Sequence, residues 1–159
     1  MGQMSEAPAT LPAALQRIVG LFAGAPKDLR LQALLEYSKQ LPGLPARLAD
    51  DRGAMEQVPE CQTPFFLASE VGEDDRVALW FDVPLEAPTT RGFAGILSAG
   101  LSGATASEVL ALPNDFYLPM GLGEVVSTLR LRGIGAILAR LKRQVADQLA
   151  ARERIGSPE

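Results

Sequence analysis

The segment Met55-Glu-Gln-Val-Pro-Glu-Cys-Gln-Thr-Pro-Phe-Phe-Leu67 constrains the fold more than any other. Pro59 and Pro64 bracket Cys61, the only cysteine of the chain. Proline lacks a backbone N–H, fixes its own φ and pushes the preceding residue out of the α region, so continuous helix is excluded across this stretch. The segment reads as a short strand over 55–58, a turn that carries the thiol, and a second strand over 65–71. Gly72-Glu-Asp-Asp75 is an acidic turn. Beyond it Val77, Leu79 and Phe81 alternate with Ala78, Trp80 and Asp82, the period of a strand, over 76–83. Short strands joined by tight turns predict an antiparallel meander with one face covered by helices, and Trp80 with Phe65 and Phe66 as sheet core.

Helical spacing flanks the sheet on both sides. Leu11, Leu15, Ile18, Val19 and Phe22 share one face of a first helix, with Thr10 as its cap and Pro12 in its first turn. A second helix spans 27–40, with Leu31, Leu34, Leu35 and Tyr37 or Ser38 as its inner stripe and Leu29 adding to it. Leu41-Pro-Gly-Leu-Pro45 stops it, and 46–54 reads as irregular. After the sheet, Thr89 or Thr90 caps a helix over 91–99 closed by Gly100. Thr105-Ala-Ser-Glu108 is a capping box for a short helix to about residue 112. Ser127 caps a long last helix to about residue 154, buried along Leu131, Ile134, Ile137, Leu138, Leu141, Val145 and Leu149. The expected fold class is α+β: two helices, a three-stranded antiparallel sheet, then three helices, in one domain over 10–155 behind a disordered leader at 1–9.

Composition removes most chemistries. The 159 residues include no histidine and one cysteine, so a Cys–His or Ser–His–Asp machinery cannot be assembled within the chain. Neither an internal disulfide nor a cysteine cluster for zinc or iron–sulfur ligation is available, and no metal or other cofactor is expected. No P-loop pattern occurs. A net charge of −4 speaks against nucleic acid as the main partner. No apolar run reaches the roughly 20 residues of a membrane helix, and the N-terminus lacks the pattern of a signal peptide, so a cytoplasmic location is expected.

Cys61 is therefore the candidate for covalent chemistry. A lone cysteine is usually a small buried hydrophobe, but a turn between prolines is a more exposed setting than a strand centre. Glu60 disfavours its thiolate, so a cation or amide from elsewhere has to offset that neighbour. Arg91, at the start of the helix that follows the sheet, and Arg130, in the first turn of the last one, stand where the helix dipole disfavours a cation. That placement hints at a purpose such as a salt bridge or an anionic partner. A solvated charge is an equally ordinary reading of each.

Val58-Pro-Glu-Cys-Gln-Thr-Pro64, Ala87-Pro-Thr-Thr-Arg-Gly-Phe-Ala94 and Ser127-Thr-Leu-Arg-Leu-Arg-Gly133 resemble the signature segments of the SufE family, sulfur acceptors of iron–sulfur cluster assembly that include CsdE-like members. The resemblance runs from about Leu11 to the end of the last helix. It implies a fold similar to the scaffold IscU. It implies a partner, a pyridoxal-phosphate cysteine desulfurase (SufS- or CsdA-like), and onward delivery to an iron–sulfur scaffold complex (SufBCD-like). The acceptor cysteine falls on Cys61, a supporting arginine on Arg130, and a family acidic position on Glu86. Arg91, within the second of the three segments, is a lesser candidate. The chain would be an accessory sulfurtransferase-like protein rather than a stand-alone catalyst, with the Phe65-Phe66 strand sheltering the thiol between deliveries. The alternative from a different class is a binding module that regulates a desulfurase without covalent chemistry, Cys61 being inert.

Overall fold

Alternation at Val77, Leu79 and Phe81 turns these side chains into the interior, and the rest of the molecule is arranged about the sheet they belong to. Residues 11–156 are described in the computed structural model; the expected leader at 1–9 and Thr10 lie outside them. Pro12, expected inside the first turn of the first helix, is its N-cap instead, so the helix starts at Ala13 without a side-chain cap. In chain order the elements are α1 (Ala13–Ala23), α2 (Lys27–Lys39), α3 (Ala46–Ala49), β1 (Glu56–Gln57), β2 (Phe66–Val71), β3 (Val77–Asp82), α4 (Pro88–Leu101), α5 (Ala106–Leu110) and α6 (Thr128–Gly156). The fold is α+β. The sheet is antiparallel in the order β1-β2-β3, with Glu56 opposite Leu67, Phe66 opposite Asp82 and Val71 opposite Val77.

The segment at 46–54, expected to be irregular, forms α3 and a 3-10 turn at Arg52–Ala54. This places Leu48 and Met55 against the sheet face opposite the main core, where they meet Ala68, Phe66 and Trp80. The sheet is therefore covered on both faces, and Trp80 and Phe66 serve this smaller cluster while Phe65 lies in the main one. The main core spans Leu15 to Val145 and includes Cys61.

α4 is the central helix. It is buried at every position from 92 to 101 except Ala99, the pattern of a helix enclosed on all sides. Its start is a turn earlier than the threonines suggested: Ala87 is the N-cap, Pro88 takes the first position, and no side chain caps it. Gly100 does not close it either. It lies inside the helix, where a Cβ would stand 2.7 Å from Leu15 Cδ1. Gly92 and Gly95 act alike toward α2, their missing Cβ atoms lying 2.3 Å and 2.2 Å from the carbonyl oxygens of Leu34 and Tyr37. α2 consequently buries only Leu34 and Ser38, and Leu29 and Leu31 of its expected stripe face solvent. Backbone packed against backbone leaves no room for a wider apolar stripe.

The capping box forms as read: Glu108 N–H donates to Thr105 Oγ1 at 3.1 Å and Thr105 N–H to Glu108 Oε1 at 2.8 Å. Ser127 caps α6 by accepting the N–H of Arg130 at 3.2 Å. α6 packs along β2. Where β1 ends, Ser69 N–H donates to Gln144 Oε1 at 2.8 Å, Val71 N–H donates to Gln148 Oε1 at 2.9 Å, and Gln148 Nε2 donates to the Ser69 carbonyl at 2.7 Å. Side chains thus replace a missing strand along that edge. Among the described residues no helix is long and apolar enough to cross a membrane.

Gly95→Ala should lower stability by about 2 kcal/mol in urea unfolding, because the new methyl must push α4 off the α2 backbone. Gly20→Ala, on the exposed face of α1 with nothing within 4 Å of the new methyl, should raise it by about 0.5–1 kcal/mol.

Candidate functional site

Pro59 begins a 3-10 turn, Pro59–Cys61, at the tip of the connection between β1 and β2. Three backbone bonds define this connection. Val58 N–H donates to the Phe65 carbonyl at 2.8 Å and closes its base. Cys61 N–H donates to Val58 and Gln62 N–H to Pro59, at 3.1 Å and 3.2 Å. Gln62 then takes the left-handed conformation, φ +62°, which few non-glycine residues adopt. That reversal folds the tip inward instead of outward.

The thiol is consequently buried, only 6% exposed, although its turn is a surface connection. It rests on α6 at Gly133, its Sγ 3.9 Å from the Gly133 carbonyl oxygen. A Cβ on residue 133 would stand 3.3 Å from both Cα and Sγ of Cys61, so the bare backbone there is what admits the turn. Beside the sulfur is a cavity of about 20 Å³, lined by Leu34, Phe93, Leu122, Ile134, Thr90 and Arg130 among others. That volume suits about one water-sized group. The walls of this cavity come from α2, α4, α6 and the segment before α6; neither Phe65 nor Phe66 lines it, although Phe65 shares the main core with Cys61. On the outer side a hollow of about 210 Å³ is lined by Cys61, Gln62, Thr63, Ser127, Leu129 and Arg130. The Thr63 hydroxyl is buried there without a hydrogen-bond partner.

Burial pushes the Cys61 thiol up to about 11; the Glu60 carboxylate adds to the rise and the Arg140 guanidinium opposes it. Arg140 is the offsetting cation that Glu60 demanded. Its Nη2 donates to both Glu60 oxygens at 3.0 Å and its Nη1 to Glu56 Oε2 at 2.8 Å. Gln144 Nε2 reaches Glu56 Oε1 at 2.9 Å and Arg143 pairs with the same oxygen. Burial pushes the Glu56 carboxyl up, but the hydrogen bonds from Gln144, Arg140 and Arg143 outweigh it and hold it below its usual range.

Of the residues singled out in the sequence, Cys61 and Arg130 share one site. Arg130 donates through Nη1 to Thr90 Oγ1 at 2.9 Å across the mouth of the cavity. Arg91 points the other way, into the framework, where its Nε donates to the Ser38 carbonyl at 2.9 Å and its Nη1 to the Val83 carbonyl. It ties the start of α4 to α2 and to the end of β3. Glu86 is exposed on the preceding connection and forms no hydrogen bond or ion pair among the described residues. Arg140 was not singled out. Its spacing from Gly133, seven residues or two helical turns, was the available signal. No group of acidic residues and cysteine among the described residues could hold a metal ion.

Residues 16–145 match SufE, an Fe-S metabolism associated domain. The chain belongs to the SufE family. A SufE-like protein of Mycobacterium tuberculosis is 50% identical over 141 residues, covering 89% of this chain and 97% of the relative. SufE-like protein 1 of Arabidopsis thaliana, chloroplastic and mitochondrial, is 27% identical over 135 residues, covering 84% of this chain and 35% of that longer protein. A solution structure of a hypothetical protein from Thermus thermophilus superposes with a TM-score of 0.79 at 43% identity, over 89% of this chain and 99% of that one. Membership in SufE assigns the protein to iron–sulfur metabolism.

The buried thiol makes stability depend on pH. The folded SufE domain holds the Cys61 proton more tightly than the unfolded chain does. Its contribution is intact below the unfolded thiol's pKa, about 8.5, and is lost as pH rises toward about 11. From about pH 8 to about pH 10.5 the wild type should lose about 2 kcal/mol more than Cys61→Ala in urea unfolding. Equal losses would show that the thiol ionises as freely in the folded protein as in the unfolded one.

Proposed function

We propose that this SufE-family protein accepts sulfane sulfur on Cys61 from a pyridoxal-phosphate cysteine desulfurase, stimulates that enzyme, and hands the sulfur to an iron–sulfur scaffold complex. The observation that carries the reading is a solitary cysteine, on a turn of its own, facing a cavity of about one atom's volume in a chain with no other nucleophilic machinery. Transfer needs one thiolate and nothing else. The Cys61 thiolate attacks the outer sulfur of the donor's persulfide, the new S–S bond forms as the donor's S–S bond breaks, and the donor leaves as its own thiolate. The thiol proton passes to solvent or to a base of the partner. A second cysteine would attack the carried persulfide and release its sulfur, so the single-cysteine composition suits a carrier.

The resting state is a protected one. A thiol held protonated and out of water is a poor nucleophile, and it reaches a partner's persulfide only when the turn swings outward. Arg130, at the rim of both hollows, is positioned to meet the sulfur anion as it emerges; charge-assisted hydrogen bonds of guanidinium to such an anion favour it. Glu86 and Arg91 are assigned lesser, supporting roles: Glu86 as a charge on the docking face and Arg91 through the seating of α4.

Incubation with a cysteine desulfurase and free cysteine, without strong reductant, should add one sulfur atom, about 32 Da, to the Cys61 peptide in mass spectrometry. Wild type should raise sulfide release by the enzyme and Cys61→Ser should not. Full stimulation by the serine variant would instead support the regulatory binding module with an inert cysteine. Arg130→Ala should load sulfur at least about tenfold more slowly at saturating desulfurase; unchanged loading would remove Arg130 from the chemistry.

A further inference from the structure

Glu60 stands beside Cys61 on the same turn, and its carboxylate is gripped from α6. The two Glu60 oxygens both accept from Arg140 Nη2 at 3.0 Å. The same guanidinium holds Glu56 at 2.8 Å. Glu56 lies in β1, at the root of the cysteine connection, and Arg143 and Gln144 hold its second oxygen. One arginine therefore bridges the root and the tip of a single connection and ties both to the helix on which the thiol rests. No other ion pair among the described residues reaches the tip of the turn.

Local features of the turn oppose this shut arrangement. Gln62 is left-handed without being glycine, and the Thr63 hydroxyl is buried with no partner. Opening the turn relieves the first and hydrates the second. Something must hold it closed. Packing at Gly133 supplies one part, and the ion pairs supply the directional part.

We propose that Arg140 is a positioning residue for Cys61: its ion pairs with Glu60 and Glu56 form a latch that holds the cysteine turn shut against α6. A docking partner opens the latch by offering Glu60 another cation or Arg140 another anion. The latch also gives Glu60 a purpose. An anion next to a nucleophilic thiol hinders its ionisation, yet the same carboxylate is the handle by which the turn is held. The role of the latch in sulfur delivery rests on the transfer reading above; the latch itself does not.

The test uses the free protein, so it succeeds or fails independently of any sulfur transfer. Amide hydrogen exchange at Cys61 and Gln62, whose N–H groups donate within the turn to the Val58 and Pro59 carbonyls, reports loosening of the turn without regard to thiol ionisation. Arg140→Met and Glu60→Gln should each speed exchange at these two amides by about fivefold, the scale of one partly exposed ion pair. The double variant should exchange no faster than Arg140→Met, because that substitution already removes the pair with Glu60. Exchange at Leu79 in β3 should match the wild type, and Arg143→Met, which touches Glu56 but not Glu60, should leave the turn unchanged. Raising salt from about 0.05 M to about 0.5 M should speed the wild-type turn and leave Arg140→Met, which lacks both latch pairs, unmoved. Unchanged exchange in folded variants, salt-independent exchange in the wild type, or loss of protection throughout the chain would each overturn the proposal.

Discussion

The contact between the cysteine turn and the bare backbone of α6 at Gly133 is the constraint on which the site depends. Any side chain at that position would lie within 3.3 Å of the thiol and of the Cys61 Cα, closer than ordinary packing allows. Because the position is empty, a surface connection can fold its tip inward and become part of the main core. α4 repeats the device toward α2, where Gly92 and Gly95 bring the two helices to backbone contact. Of these glycines Gly133 is the one that lines the cavity beside the thiol.

Two opposing effects act on the thiol, and their order decides its resting state. Burial contributes most to raising its pKa, Glu60 adds to it, and Arg140 only partly compensates. A cation placed to activate the thiol would be expected to dominate. Here the cation is spent mainly on two carboxylates, both of which it holds at hydrogen-bonding distance. In the shut turn the thiol is therefore held protonated and out of water. Arg130, hydrogen-bonded to Thr90, lines both the inner cavity and the outer hollow.

Much of the fold was legible because it rests on short-range rules. The prolines around Cys61 gave a turn, the alternation of Val77, Leu79 and Phe81 gave β3, and Thr105 with Glu108 gave a cap whose two hydrogen bonds are both present. The misreadings share a cause. Thr89, Thr90 and Gly100 carry the local chemistry of helix ends, yet α4 extends past all three because burial on every side outweighs capping preference. Leu29 and Leu31 have the spacing of a core stripe, but the approach of α4 to α2 through glycine narrows that stripe to Leu34 and Ser38. At the site, the need for a cation beside Glu60 followed from the sequence. Its identity did not, because Arg140 lies 80 residues from Glu60 and meets it only after α6 has packed along β2. The inward tilt of the thiol depended on a left-handed Gln62, a residue with no special preference for that conformation.

Gln144 and Gln148 have a consequence beyond covering an exposed strand edge. They stand four residues apart on a helix, a rise of about 6 Å, and bond Ser69 and Val71, two residues apart on a strand, about 6.6 Å. The two spacings nearly coincide, so the amides act as teeth of a rack that sets how far α6 is advanced along the sheet. The cysteine turn springs from the same strand pair and lands on the same helix, so its landing point is metered by that engagement. A slip of one tooth would carry Gly133 away and present a neighbouring side chain to the sulfur. The place where the thiol can rest is thus gauged by glutamines far along the helix from it.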